Sequence, residues 1–127
     1  MSYQITIGAG PVTMEAELND TPTAQRIWEA LPIVGQANTW GDEIYFKIPV
    51  AMDEAPDARA EVEEGELGYW PAGEAFCVFF GPTPASTDDT PRAASPVNVV
   101  GRVLGDSAEF RRVTAGSTVS LERAGEP

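Results

Sequence analysis

The sequence predicts a mainly β chain folded as a closed or nearly closed barrel. It has about seven to eight strands, one clear α-helix, and one or two short helical turns. Three observations predict this. Several stretches alternate apolar and polar residues with a period of two, the pattern of strands with one buried face. Eleven prolines and twelve glycines in 127 residues break the chain too often for long helices. Only one stretch carries an apolar stripe at helical spacing.

The elements follow in order. "YQITI" (3–7) and "VTMEAEL" (12–18) flank the turn "GAGP" and read as a hairpin, with Val12, Met14, Ala16 and Leu18 on one face. "GAG" is no dinucleotide fingerprint, because a strand follows where a helix is needed. "NDTPTAQRIWEALP" (19–32) is the helix. Asp20 or Thr21 is placed to cap it, and Pro22 sits where a missing N–H costs nothing. Ala24, Ile27, Trp28 and Leu31 form its stripe, and Pro32 stops it. "DEIYFKIPV" (42–50) alternates, with Ile44, Phe46, Ile48 and Val50 on one face and Tyr45 and Lys47 on the other. Residues 51–65 read as an acidic surface loop with a short strand near "AEVEE".

Trp70-Pro71-Ala72-Gly73 fits a type I turn. "EAFCVFFG" (74–81) follows as a strand with Phe76, Val78 and Phe80 on one face and Cys77 and Phe79 on the other. Both faces are apolar, so both must be covered, as in a barrel wall whose outside is capped by a helix. "GPTPASTDDTPRAASP" (81–96) reads as a long loop, "VNVVGRVLG" (97–105) as a strand, and "SAEFRRV" as short helical turns. "STVSLER" (117–123) reads as the closing strand, and "AGEP" is expected to fray.

Composition excludes several function classes. Twenty acidic residues against eight basic ones give a net charge of −12. Nucleic acid and anionic membrane are excluded as partners, since both require clustered cations. The chain has no histidine, which removes the Ser-His-Asp triad, the Cys-His pair and every His-bearing zinc site. No cofactor motif is present, and the acidic stretch lacks calcium-loop spacing, so no cofactor, metal ligand or catalytic residue is assigned. The single cysteine, Cys77, has apolar neighbours and reads as an inert buried thiol. Without a signal peptide or an apolar run of membrane length, a cytoplasmic location is expected.

The candidate binding residues are Asn38, Trp40, Tyr45, Tyr69, Trp70, Phe79 and Asn98. Trp40, Tyr45, Tyr69 and Trp70 have the make-up of an aromatic pocket with polar rims; against that, Trp40 and Trp70 are the right size to plug the barrel ends. Phe76 and Phe80 read as core, while Phe79 is open to either reading. Asn38 and Asn98 read either as buried amides bonding loop backbone or as ligand contacts. The pairs Asp42-Glu43 and Asp88-Asp89 read as exposed acids, not as acid/base partners, because strand neighbours point to opposite faces.

"ANTWGDEIYFKIPV", "GELGYWPAG", "AFCVFFGPTPAS" and "SPVNVVGRV", in that order, resemble the small stand-alone cyclophilin-like proteins of bacteria and archaea. "VTMEAELNDTPTAQRIWEALP" resembles the strand and barrel-plugging helix that open the cyclophilin fold, and "VNVVGRVLGDSAEFRRV" its later strand and short helix. The resemblance implies one cyclophilin-like β-barrel domain spanning 1–127, with its core at about 3–122. Prolyl-isomerase cyclophilins carry an arginine in a Phe-His-Arg segment and a glutamine before a Phe-Phe pair. Here "NTWGDEIYF" replaces the first, and Val78 precedes Phe79-Phe80. The resemblance therefore implies a module that binds a proline-containing peptide or a small ligand in an aromatic groove, without the isomerase residues. The alternative is a weak, divergent prolyl isomerase. Self-association through a sheet edge, as a homo-oligomer, is left open.

Overall fold

The structure is a computed structural model that describes residues 3–124. β1 (Tyr3–Ala9) and β2 (Val12–Leu18) pair in full register around a two-residue turn in which Gly10 takes a φ of 55°. α1 (Pro22–Ala30) follows. The Thr21 hydroxyl accepts the Ala24 N–H at 3.3 Å at its start, and the chain leaves helical geometry at Leu31. The remaining strands are β3 (Ile33–Gln36), β4 (Asn38–Thr39), β5 (Glu43–Lys47), β6 (Arg59–Glu61), β7 (Glu66–Trp70), β8 (Ala75–Phe79), β9 (Arg92–Val103) and β10 (Thr118–Arg123). A 3-10 helix, Ser107–Arg112, lies between β9 and β10. The final residues of "AGEP" lie outside the described residues.

All strand pairs are antiparallel, in the order β3-β10-β1-β2-β9-β7-β8-β5-β4, with β6 added along β9. The mainly β reading holds, but among the described residues the hydrogen-bonded ladder is an open path, not a closed ring. β3, at one end of this path, lies against β5, next to its other end: an added Cβ at Gly35 would sit 3.0 Å from the Phe46 ring.

The strand count exceeds the sequence reading because β3, β4 and β7 are additional, and β9 begins at Arg92, inside the stretch read as a loop. β9 serves two purposes. Its second half pairs with β7 and β2, and its first half folds over the outer face and pairs with β6. The register shift between Leu67–Gly101 and Gly68–Val99 leaves Val100 as an extra, bulged residue. Gly101 beside it is required, since a Cβ there would strike the Glu17 carbonyl of β2.

Two apolar clusters result. The interior one takes Ile5, Ile7, Leu18, Phe46, Tyr69 and Phe76, closed at one end by Ala24, Ile27 and Leu31 of α1. The helical stripe therefore faces inward as its spacing predicts, with Trp28 at its edge stacked on Tyr3 at 4.8 Å. The second cluster, on the outer face of β8, holds Val62, Cys77, Phe79, Ala93 and Val97. β8 is buried on both sides, as its composition demands. Its outer cover is the start of β9 and the segment around β6, not the helix expected from the sequence. Among the described residues no helix is long and apolar enough to cross a membrane.

Candidate functional site: an aromatic cleft on the outer face

β5 and β8 pair with Glu43 opposite Phe79 and Tyr45 opposite Cys77. Strand alternation sends Ile44 and Phe46 into the interior, so Glu43 and Tyr45 face outward. β7 adds Trp70 at its end, next to Ala75 in the β7–β8 pairing. Where the start of β9 crosses this face, a cleft of about 230 Å³ remains, lined by Trp40, Glu43, Tyr45, Trp70, Ala93, Ala94 and Val97. Glu43, Ala93 and Val97 are buried and form its base; the three aromatics are half-buried and form its walls.

Each wall is fixed locally. Trp40 lies in the β4–β5 turn, where its N–H donates to the Glu43 carbonyl at 2.9 Å. Gly41 turns the chain with a φ of 61° and packs so closely on Thr83 and Pro84 that a Cβ would come within 2.9 Å of both. Trp70 donates its indole N–H to the Ser95 hydroxyl at 2.6 Å and meets Tyr45 edge-on at 6.4 Å between ring centroids. Gly73 lets the turn pass beneath the Trp70 ring, since a Cβ there would fall 2.6 Å from it.

The base of the cleft holds its unusual group. Glu43 is only 5% exposed, and its Oε1 is the one buried side-chain oxygen or nitrogen without a hydrogen-bond partner among the described residues. Burial raises its carboxyl to about 7 from an ordinary 4.5, and the neighbouring Cys77 thiol offsets this only in part. The same burial, together with Glu43, pushes the Cys77 thiol well above its usual range, so it is not a nucleophile in this state.

The other sequence candidates lie elsewhere. Tyr69 is wholly buried in the interior, donating to the Val50 carbonyl at 2.6 Å and accepting the Met52 N–H at 3.2 Å. Burial raises its hydroxyl, while the bond from Met52 opposes that rise. Phe79 does point to the outer face, but it is fully buried against Val97 and Gly68, behind the cleft. Asn38 is exposed on β4, reaching the Tyr45 carbonyl at 3.4 Å. Asn98, 3% exposed, accepts the Ala55 N–H at 2.7 Å and donates to Asp53 O at 3.0 Å and Thr23 Oγ1 at 3.1 Å. It stands in the wall of a larger, acidic groove of about 940 Å³ beside α1.

Sequence reasoning missed Glu43, Ala93, Ala94 and Val97 as cleft residues. One signal was available for Glu43. It is an acid on the outward face of a strand, beside a strand whose outward residues, Cys77 and Phe79, are themselves apolar. An acid in that position is buried with them.

The sequence matches the Cyclophilin-like family over residues 2–122. The chain belongs to the cyclophilin-like family. The solution structure of a hypothetical protein from Archaeoglobus fulgidus is 40% identical to this cyclophilin-like chain, with a TM-score of 0.81, covering 97% of this chain and 95% of the other. The structure of McbB in complex with tryptophan has the same fold at 20% identity and a TM-score of 0.74, covering 97% of this chain and 45% of McbB. No curated protein matches the sequence.

Proposed function

We propose that this cyclophilin-like chain is a binding module rather than a catalyst. Its site is the cleft between Trp40, Tyr45 and Trp70, and its ligand is a small molecule or a peptide that presents one ring-sized group, proline included. The observation that carries this reading is the convergence of three aromatic walls, two from the β4–β5 hairpin and one from the end of β7, on a buried carboxyl with an unpartnered oxygen. Ligand sites combine an apolar lining with a few placed polar groups in this way. At about 230 Å³ the cleft is below the size of most sites for whole drug-like ligands, which suits a single ring. McbB, a structural neighbour of which the match covers 45%, was solved in complex with tryptophan, which is compatible with a small-molecule ligand here.

The divergent-isomerase reading has less support. Twisting a prolyl amide calls for a donor where charge develops in the transition state, and no arginine or lysine lines the cleft. The test uses the three tryptophan indole N–H signals in ¹H–¹⁵N spectra. Titration with free L-tryptophan, and separately with an Ala-Pro dipeptide, is expected to move Trp40 and Trp70 while Trp28, stacked on Tyr3, stays fixed. Trp70→Ala is expected to weaken whichever probe binds by about tenfold or more. If neither probe moves Trp40 or Trp70, the reading is wrong.

A further inference from the structure

Building on that binding reading, we propose that the cleft selects a cation: a ligand whose ring lies between Trp40, Tyr45 and Trp70 and whose ammonium group meets the Glu43 carboxylate. Four observations converge on it. Glu43 is 5% exposed and lines the cleft, yet its Oε1 has no partner, a costly state for a buried oxygen and one that a ligand donor would relieve. The walls are aromatic rings, whose faces attract cations. The Trp70 N–H is already held by Ser95 at 2.6 Å, so it is not free to bind an acceptor on the ligand. The chain's net charge of −12 draws cations toward it and repels anions.

The groups around Glu43 leave room for such a partner. On its own strand's turn, Asp42 is paired with Arg111 at 3.2 Å, and Arg111 also reaches the Phe80 carbonyl at 3.5 Å. Across the ladder, β8 presents the Cys77 thiol, and β5 itself presents the Tyr45 hydroxyl. From β9 the cleft meets Ala93, Ala94 and Val97, none of them charged, while Arg92 pairs with Glu61 at 3.9 Å. Trp40 and Trp70 do not titrate. The acid therefore faces the cleft with no cation of its own.

Binding then moves one proton. Below about pH 7 the empty site holds Glu43 as a neutral acid. An ammonium ligand keeps its own protons and favours the carboxylate, so the Glu43 proton leaves for solvent as the ligand enters. Affinity rises with pH up to about 7 and is level above it.

The experiment compares benzylammonium, benzyl alcohol and benzoate, which share one ring, by following the indole N–H signals of Trp40 and Trp70 at about pH 5.5 and pH 8. Benzylammonium is expected to bind about tenfold more tightly than benzyl alcohol at pH 8, with the gap narrowing at pH 5.5 and benzoate weakest throughout. Glu43→Gln is expected to erase both the preference and its pH dependence. The comparison among probes on the unaltered chain needs no variant, so it stands even if that substitution unfolds the protein. Equal binding of all three probes overturns the cation inference but leaves the cleft as a ring-binding site. Tighter binding of benzyl alcohol at pH 5.5 also overturns it, by making Glu43 a donor to a neutral acceptor. If no probe moves Trp40 or Trp70, the binding reading itself falls, and the cation inference with it.

Discussion

Asn98 and Glu43 are two polar side chains buried to almost the same degree, each lining a depression on this fold, yet they sit in opposite states. Asn98 accepts from Ala55 and donates to Asp53 and Thr23, tying the 51–55 loop to the start of α1. Tyr69 does the same from the interior, holding Val50 and Met52 at the near end of that loop. Glu43 leaves an oxygen without any partner. A buried polar group that completes its hydrogen bonds is explained by the fold it holds together; one left incomplete is a cost the fold alone does not explain. The larger depression is therefore a by-product of loop anchoring, and the smaller one is the better place to look for a ligand.

The sharpest way to break this comparison is to remove the anchor. Asn98→Ala leaves the Ala55 N–H, the Asp53 carbonyl and the Thr23 hydroxyl without partners at once. A stranded buried group costs about 1–3 kcal/mol; Thr23 is buried, whereas water reaches the half-buried Ala55 and the exposed Asp53, so a total loss of about 3 kcal/mol is expected in denaturant unfolding. The Trp40 and Trp70 signals are expected to stay in place. A loss below about 1 kcal/mol would mean that Asn98 is not an anchor and that the larger groove deserves the functional reading instead.

Glu43→Gln tests the other side, through pH. The folded carboxyl titrates near 7 and the unfolded one near 4.5, so between these values the native state holds a proton the unfolded chain has lost. The native state binding more protons means that stability falls as pH rises through this window and is level above about 7. The fall is on the order of 3 kcal/mol for a shift of this size. Glu43→Gln cannot ionise, so its stability relative to the parent chain is expected to be little changed near pH 4 and to rise by about that amount by pH 8. Self-repulsion among the other carboxylates destabilises both chains alike and cancels in the difference. A constant difference from pH 4 to 8 would show that Glu43 ionises normally and is not sequestered.

The two groups also differ in how far the sequence disclosed them. Period-two alternation, a single helical stripe and, for β8, an apolar run after a turn are enough for β1, β2, α1, β5, β8 and β10, because each is a local pattern. β3 escaped notice because "IVGQ" is four residues long, follows a proline, contains Gly35, and leaves Val34 largely exposed. The start of β9 reads as loop because Pro91 precedes it and Pro96 lies within it, although proline is tolerated on a strand edge. Trp40, Tyr45 and Trp70 were legible as candidates from residue type and turn position. The burial of Glu43 is hinted at only by the apolar outward residues Cys77 and Phe79 on the next strand, and what completes it, Ala93 and Val97 folding over β8, lies too far along the chain for a local pattern to show. The same fold-over covers Phe79.

The smallest test concerns the β7–β8 turn, which both depressions share: Trp70 faces the cleft, while Pro71, Ala72 and Glu74 line the larger groove. The expected turn is followed by a second, overlapping one, with Gly73 N–H bonded to Trp70 O and Glu74 N–H to Pro71 O, both at 3.3 Å. It closes with Glu74 at a φ of 50°, a left-handed conformation in which a Cβ costs about 1 kcal/mol. The only gain in view for glutamate there is an exposed ion pair with Lys47 at 3.7 Å, which is worth little. Glu74→Gly removes the strain but gives the unfolded chain more freedom, for a net gain of about 0.5 kcal/mol. Glu74→Ala keeps the strain and loses the ion pair, so the glycine variant is expected to exceed the alanine one by nearly 1 kcal/mol in unfolding free energy, read from denaturant titration. If the turn acts only as a hinge between the two depressions, relaxing it leaves the Trp70 indole signal and the affinity of the cleft for its probes unchanged. A shift of Trp70 in the glycine variant would instead mean that the strained turn helps to set the aromatic wall, coupling the two regions that Asn98 and Glu43 otherwise keep apart.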